Sequence, residues 1–262
     1  VTDGNVADYI SELSKSDPNW FGICIATRDG HLYEVGDTLQ DFTIQSISKP
    51  FSYGLALDDQ GLAAVDAKID VEPSGDAFNE ISLARETGRP ANAMINAGAI
   101  ATVSLVKDAE TPRFARILEQ FSLCAGRELH LSATIYASEA LTGHRNRALA
   151  YLLRSFGIIE TDPTPVLEDY FKACSVMVNT EDLAMMAATL ANGGTQPSTG
   201  VQVMSPEAVQ RVLSVMTTCG MYDDAGAWIS AVGLPAKSGV GGGLIAVLPG
   251  QLGLAVYSPA LD

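Results

Sequence analysis

Ser46-Ile47-Ser48-Lys49-Pro50-Phe51-Ser52-Tyr53-Gly54-Leu55-Ala56-Leu57 reads as the opening and body of a buried helix. Lys49 is its only charge, and Pro50 is tolerated because it falls in the first turn, where its missing N–H leaves no partner unsatisfied. Ser46 and Lys49 are three residues apart, so a hydroxyl and an amine share one helix face. A lysine in such an apolar run is costly without a role. Desolvated and held beside other cationic groups, its pKa falls, and it can act as a neutral base for a weak nucleophile. With 6 lysines and 20 serines, about 0.5 copies of Ser-x-x-Lys are expected by chance, so the motif gains weight only from its surroundings.

Working outward, residues 21–27 and 31–35 are short apolar or alternating runs on either side of Arg28-Asp29-Gly30, a hairpin signal. Residues 6–13 have helical spacing. Downstream, 113–124, 137–156, 165–174, 181–191 and 206–218 carry apolar residues at three- and four-residue intervals. Ser205-Pro206 opens the last of these, and Gly193 and Gly220 are plausible stops. The end returns to strands at 228–234, 244–248 and 252–257, with Pro249-Gly250 as a turn. Lys237-Ser238-Gly239 is a second lysine motif, which a strand beside the serine would carry into the same cleft. Hairpins from both chain ends join most simply into one sheet. The expected fold is α+β, a five-stranded antiparallel sheet formed from both chain ends with an inserted helical lobe. We expect one catalytic domain over 1–262, its sheet lobe about 1–45 and 225–262 and its helical lobe about 46–224.

A net charge of −15 argues against nucleic acid and anionic membrane as partners. Many carboxylates beside few lysines make either an ordinary solvated surface or one adapted to high salt. The four cysteines (Cys24, Cys124, Cys174, Cys219) show no C-x-x-C spacing and read as buried free thiols in a reducing, cytoplasmic setting. The three histidines (His31, His130, His144) form no metal-binding motif, so no metal is expected. Residues 240–257 are apolar but broken by glycines and Pro249, which excludes a membrane span there.

Further strings carry a family likeness. They are Val6-Ala7-Asp8-Tyr9-Ile10, Gln45-Ser46-Ile47-Ser48-Lys49, Met94-Ile95-Asn96-Ala97-Gly98-Ala99-Ile100, His144-Arg145-Asn146-Arg147-Ala148, Gly220-Met221-Tyr222 and Gly233-Leu234-Pro235-Ala236-Lys237-Ser238-Gly239-Val240-Gly241-Gly242-Gly243. In this order, and almost end to end, the chain resembles the serine-dependent glutaminases. That family usually has more residues before Val6 and a further segment, ending in a helix, after Asp262. The resemblance implies a β-lactamase/DD-peptidase-like fold and hydrolysis of L-glutamine to L-glutamate and ammonia through a serine acyl-enzyme. It also implies no cofactor and a homo-oligomer, dimer or tetramer.

By the same resemblance, Ser46 is the nucleophile, Lys49 the base and Tyr222 a proton relay, a phenol whose pKa two lysines could depress. Lys237 would lower the pKa of its neighbours. The backbone amides of Ser46 and Val240 would form the oxyanion hole, where the glycine-rich stretch lets the main chain approach a reacting carbonyl. Glu139 would hold the α-ammonium. Asn96, Asn146 and Tyr170 would contact the α-amino and α-carboxylate groups, and Tyr9, Tyr222 and Val240 complete the substrate set. Glu139 and Asn146, seven apart, are expected two turns along one helix face. Blander duties stay open at this level: a helix cap for Ser46, a packed aromatic for Tyr222, an edge lysine for Lys237, solvated or turn roles for Glu139, Asn96 and Asn146, a tight bend for the glycines. Two other functions are weighed. A β-lactamase or penicillin-binding transpeptidase adds a Ser/Tyr-x-Asn motif, and none of the eight asparagines follows Ser or Tyr at that spacing. A non-catalytic amino-acid sensor on this fold would be marked by loss of the Ser–Lys pair, which is intact.

Overall fold

The computed structural model describes residues 4–8, 12–75 and 81–261. Its five-stranded sheet runs Leu32–Gly36, Gly22–Thr27, Leu252–Tyr257, Gly243–Leu248 and Ala236–Ser238 in spatial order, every neighbour antiparallel. The two chain ends therefore form one sheet, as the hairpin signals imply. Register follows alternation: Cys24 and Ala26 point into the core, and Cys24 pairs with Glu34 on one side and Ala255 on the other.

The Thr180–Ala191 helix lies against the inner face of the sheet. Its approach is so close that a β-carbon at Gly253 would stand 2.2 Å from the Ala188 amide nitrogen, which leaves room for glycine alone. A capping box starts that helix: Asn179 Oδ1 accepts from the Asp182 amide, and Asp182 Oδ2 accepts from the Asn179 amide, each at 2.9 Å. Such a cap contributes about 1 kcal/mol. Arg127 donates to both oxygens of the Asp182 carboxylate.

The Ser48–Gln60 helix is buried from Ser48 to Leu57 and packs against the Asn96–Leu105 and Pro206–Cys219 helices. Pro50 is its third residue. Helices Arg113–Ala125, Pro163–Cys174, Thr180–Ala191 and Pro206–Cys219 match the expected ones to within two residues. Ser205 caps its helix by accepting from the Ala208 amide at 3.2 Å. All four cysteines are buried and free. Among the described residues, no helix is long and apolar enough to cross a membrane.

Three expectations need correction. Residues 137–156 are not one helix: Ala133–Thr142 and His144–Ser155 are separated at Gly143. A β-carbon at Gly143 would be 2.2 Å from the Phe171 ring, so the chain bends over that ring, and the Arg147 guanidinium sits above it and donates to the Ala140 carbonyl. Residues 228–234 are not a strand. They continue the Ala225–Ala231 helix into a turn, where Trp228 Nε1 donates to the Leu234 carbonyl at 2.8 Å and Gly233 takes φ +77°. The fifth strand is instead Ala236–Ser238, the one that carries Lys237. The helix expected over 6–13 is absent at its start, where Asn5–Val6 pairs as a strand with Ala260–Leu261, and residues 9–11 lie outside the described residues.

Candidate active site

Ser46 sits in the single turn Gln45–Ile47 that leads into the Ser48–Gln60 helix. A short ribbon anchors that turn. Phe42 and Thr43 pair with Val178 and Met177, and the Ile44 amide donates to the Val176 carbonyl at 2.9 Å. Lys49 is 2% exposed, and its Nζ donates to Asn96 Oδ1 at 2.7 Å. Burial pushes its pKa down to about 8, against the opposing pull of Cys174 and Glu139. Desolvation thus does most of what the sequence argument asked of neighbouring cations.

Asn96 is the first residue of its helix, and Asn92 fixes it there: Asn92 Oδ1 accepts the Met94 amide at 2.9 Å and the Ile95 amide at 3.2 Å. Asn96 Oδ1 also accepts from the Tyr170 hydroxyl at 3.3 Å, and its Nδ2 donates to Asn146 Oδ1 at 3.2 Å. Glu139 and Asn146 sit on the two helices either side of Gly143 rather than on one face, yet both line the same cavity. Glu139 is 8% exposed, and burial raises its carboxyl to about 7 although Gln45 and Lys49 both favour its charged form.

On the sheet side, Lys237 is fully buried with its Nζ 4.2 Å from the centre of the Tyr222 ring. That Nζ donates to the carbonyls of Gly220, at 3.0 Å, and Ser238, at 2.6 Å. Burial, and then Lys49, drives the Lys237 pKa well down, so it is a poor source of fixed positive charge. Tyr222 hydrogen-bonds Ser46, but its pKa is raised, not depressed: burial outweighs the Ser46 contact, and Lys237 lies over the ring face. The next loop folds back over Ser46. A β-carbon at Gly239 would stand 3.2 Å from the Ile44 carbonyl and 3.5 Å from the Ser46 amide nitrogen. The loop's own bonds use the amides of Gly239 (to Gly243, 2.9 Å) and Gly242 (to Gly239, 3.0 Å), while Val240 lines the cavity.

One cavity of about 640 Å³ is therefore lined by Ser46, Lys49, Asn96, Glu139, Asn146, Tyr170, Tyr222 and Val240. Lys237 lies behind Tyr222, and Tyr9 is outside the described residues. Gln45 and Cys174, given no site role from sequence, are among the other residues that line it. Gln45, directly before Ser46, has φ +49°, and Tyr222 has φ +51°; they are the two non-glycine residues with positive φ among those described. Cys174 follows Tyr170 by one helical turn, and burial drives its thiol up to about 12. Burial holds it in the neutral thiol form.

The profile of a family described as Glutaminase matches residues 4–262. A glutaminase of Microcystis aeruginosa is 52% identical over 260 residues, 99% of this chain and 77% of that protein. Glutaminase 1 of Bradyrhizobium diazoefficiens is 54% identical over 262 residues, 100% of this chain but 43% of its own length. The crystal structure of the protein called Mglu in its native form has a TM-score of 0.95 at 48% identity, covering 100% of this chain and 64% of that one. Mglu has also been solved in an L-glutamate binding form in the presence of 4.3 M NaCl, with a TM-score of 0.94. The architecture is thus the β-lactamase-like one that the family resemblance implies.

Proposed function

The chain belongs to the glutaminase family, and from that premise we propose that it hydrolyses L-glutamine to L-glutamate and ammonia through an acyl-enzyme on Ser46. The observation that carries this reading is one cavity combining a Ser–Lys pair with a buried carboxylate and two carboxamides. An amino acid needs opposite charges at its two ends, and an amide needs a nucleophile, an oxyanion site and a proton path. Glu139 takes the α-ammonium; Asn96, Asn146 and Tyr170 take the α-amino and α-carboxylate groups, with Tyr9 a further contact.

Neutral Lys49 accepts the Ser46 proton as Oγ attacks the side-chain carbonyl. The amides of Ser46 and Val240 receive the resulting oxyanion, each such donor contributing roughly 3 kcal/mol to the transition state. Tyr222 stays protonated. It gives its proton to the departing ammonia as it takes another from the Lys49 side, which suits a phenol with a raised pKa. Water then cleaves the Ser46 ester by the same path in reverse. Lys237 supports Tyr222 from behind. No step calls for a metal or cofactor. Ammonia release from L-glutamine, with L-asparagine and a chromogenic β-lactam alongside, tests the reading; turnover of the β-lactam alone would reject it.

The pH dependence has a definite sign. Glu139 must be ionised, which requires pH above about 7, and Lys49 must be neutral, which requires pH above about 8. Both requirements act in one direction, so kcat/KM should climb at least ~10-fold between pH 6 and 9. A profile flat across that interval would remove Lys49 as the base.

We also read residues 1–262 as one catalytic domain of a cytoplasmic homo-oligomer that works in concentrated salt, with no nucleic acid or membrane partner. Support for the salt reading is the net charge of −15, whose self-repulsion salt screens. The chain should keep more than about half of its low-salt rate in molar NaCl. A steep fall in turnover under those conditions would count against it.

A further inference from the structure

We propose that Asn96 is the positioning residue of the base: its side-chain oxygen takes an N–H of Lys49 and leaves the amine's lone pair to Ser46, while its side-chain nitrogen ties that arrangement to the substrate's α-carboxylate. The proposal rests on the glutamine reading above. Asn96 Oδ1 accepts from Lys49 Nζ at 2.7 Å and from the Tyr170 hydroxyl at 3.3 Å, which uses both lone pairs of the amide oxygen. Its Nδ2 spends one N–H on Asn146 Oδ1 at 3.2 Å. What Asn96 keeps for a ligand is therefore the second N–H, a donor, which suits an α-carboxylate and not an α-ammonium. Lys49 meets an acceptor here, so the lone pair of the neutral amine points away from Asn96. Ser46, three residues before Lys49 and lining the same cavity, is the hydroxyl that lone pair serves.

Asn96 is held in place from behind. It opens its helix, and Asn92, 1% exposed, clamps that start: Oδ1 accepts the Met94 and Ile95 amides, and Nδ2 donates to the Glu72 carbonyl at 2.9 Å. Gly98 packs so closely on the Asn92 carbonyl that no side chain fits there. The neutrality of the amide matters as much as its place. Around Lys49 stand Glu139 from the Ala133–Thr142 helix, Tyr170 and Cys174 from Pro163–Cys174, Cys219 from Pro206–Cys219, Tyr222, and Lys237 from the Ala236–Ser238 strand. Burial keeps both thiols and both phenols neutral and drives the Lys237 pKa well down. Glu139 already favours the ammonium form of Lys49. A carboxylate at position 96 would add a second such pull, whereas an amide oxygen orients the amine without a charge that holds its proton.

Asn96→Asp keeps an oxygen in place and adds the charge, and Asn96→Leu removes the acceptor. An acid in the first turn suits the helix dipole, so the aspartate variant should fold. In Asn96→Asp, the ¹³Cε titration of Lys49 in the unliganded full chain, assigned with Lys49→Met, should move upward by about one pH unit or more. Its kcat at saturating glutamine should fall about fivefold at pH 8 and return to within about twofold of wild type by pH 10. Asn96→Leu should lose about tenfold or more in kcat at every pH, with no recovery. KM should rise in both, because both lose the N–H offered to the α-carboxylate. An unmoved Lys49 titration in Asn96→Asp, or kcat losses that are equal and independent of pH in the two variants, would overturn the proposal. Should Asn96→Leu fail to fold, the titration and the pH recovery of Asn96→Asp decide alone. Failure of the wild type to hydrolyse glutamine, with the Lys49 titration moving as stated, would reject the substrate reading and leave the hold of Asn96 on Lys49 standing.

Discussion

Ser46→Ala is expected to lower glutamine turnover by roughly ten-thousand-fold or more while leaving the fold intact. The expectation follows from chemistry and local structure together. Ser46 is half-buried in a turn whose backbone is fixed by its neighbours, through the Ile47 amide to the Ile44 carbonyl at 3.1 Å and the Ser48 hydroxyl to Gln45. Alanine keeps that backbone, including the amide assigned to the oxyanion. It deletes the hydroxyl proposed to carry the acyl group. Cys174 does not substitute for it, because its buried thiol stays protonated. L-glutamate affinity should change little, since Glu139, Asn96, Asn146 and Tyr170 are untouched. Activity within tenfold of wild type would reject the acyl-enzyme. Lost activity with lost glutamate affinity would point to a damaged site rather than a missing nucleophile.

Lys49→Met carries the second large effect, a fall of about 10²–10⁴-fold in kcat, the range associated with a positioned general base. A buried ammonium exchanged for an apolar chain of similar length need not destabilise the protein, so the melting temperature should move little or rise. The diagnostic lies in the pH profile. The limb near pH 8 should vanish with the amine, and the Glu139 limb should shift upward, because Lys49 is one of the two groups that favour its charged form. Turnover within tenfold of wild type, or an unaltered profile, would take the base role away from Lys49.

Much of this was legible in sequence because it depends on local pattern. Alternation and Asp-Gly chemistry gave Gly22–Thr27 and Leu32–Gly36, and Pro249-Gly250 separated Gly243–Leu248 from Leu252–Tyr257. The Ser46–Lys49 spacing was visible for the same reason. Errors arose where distant residues decide. Gly143 reads as a tolerated helical glycine until Phe171 is known to press against it. The 228–234 run looks like a strand because its apolar residues fit either period, and the Trp228 bond to Leu234 resolves it as helix and turn. Asn96–Leu105 carries small apolar residues nearly all round and offers no periodic stripe. Two lysines near Tyr222 in the sequence reading could depress its pKa, but burial, a tertiary quantity, raises it. Gln45 carries a positive φ that leaves no mark in composition.

The paired left-handed residues Gln45 and Tyr222 have a consequence for anyone seeking a hardier enzyme. Each holds roughly 1–3 kcal/mol of conformational tension next to the nucleophile, released by any residue that lets the chain relax. Selection for melting temperature alone will therefore drift toward glycine or asparagine at these two sites. Variants gathered that way should prove sturdier and slower together, whereas gains sought on the solvent side of the helices should leave turnover alone.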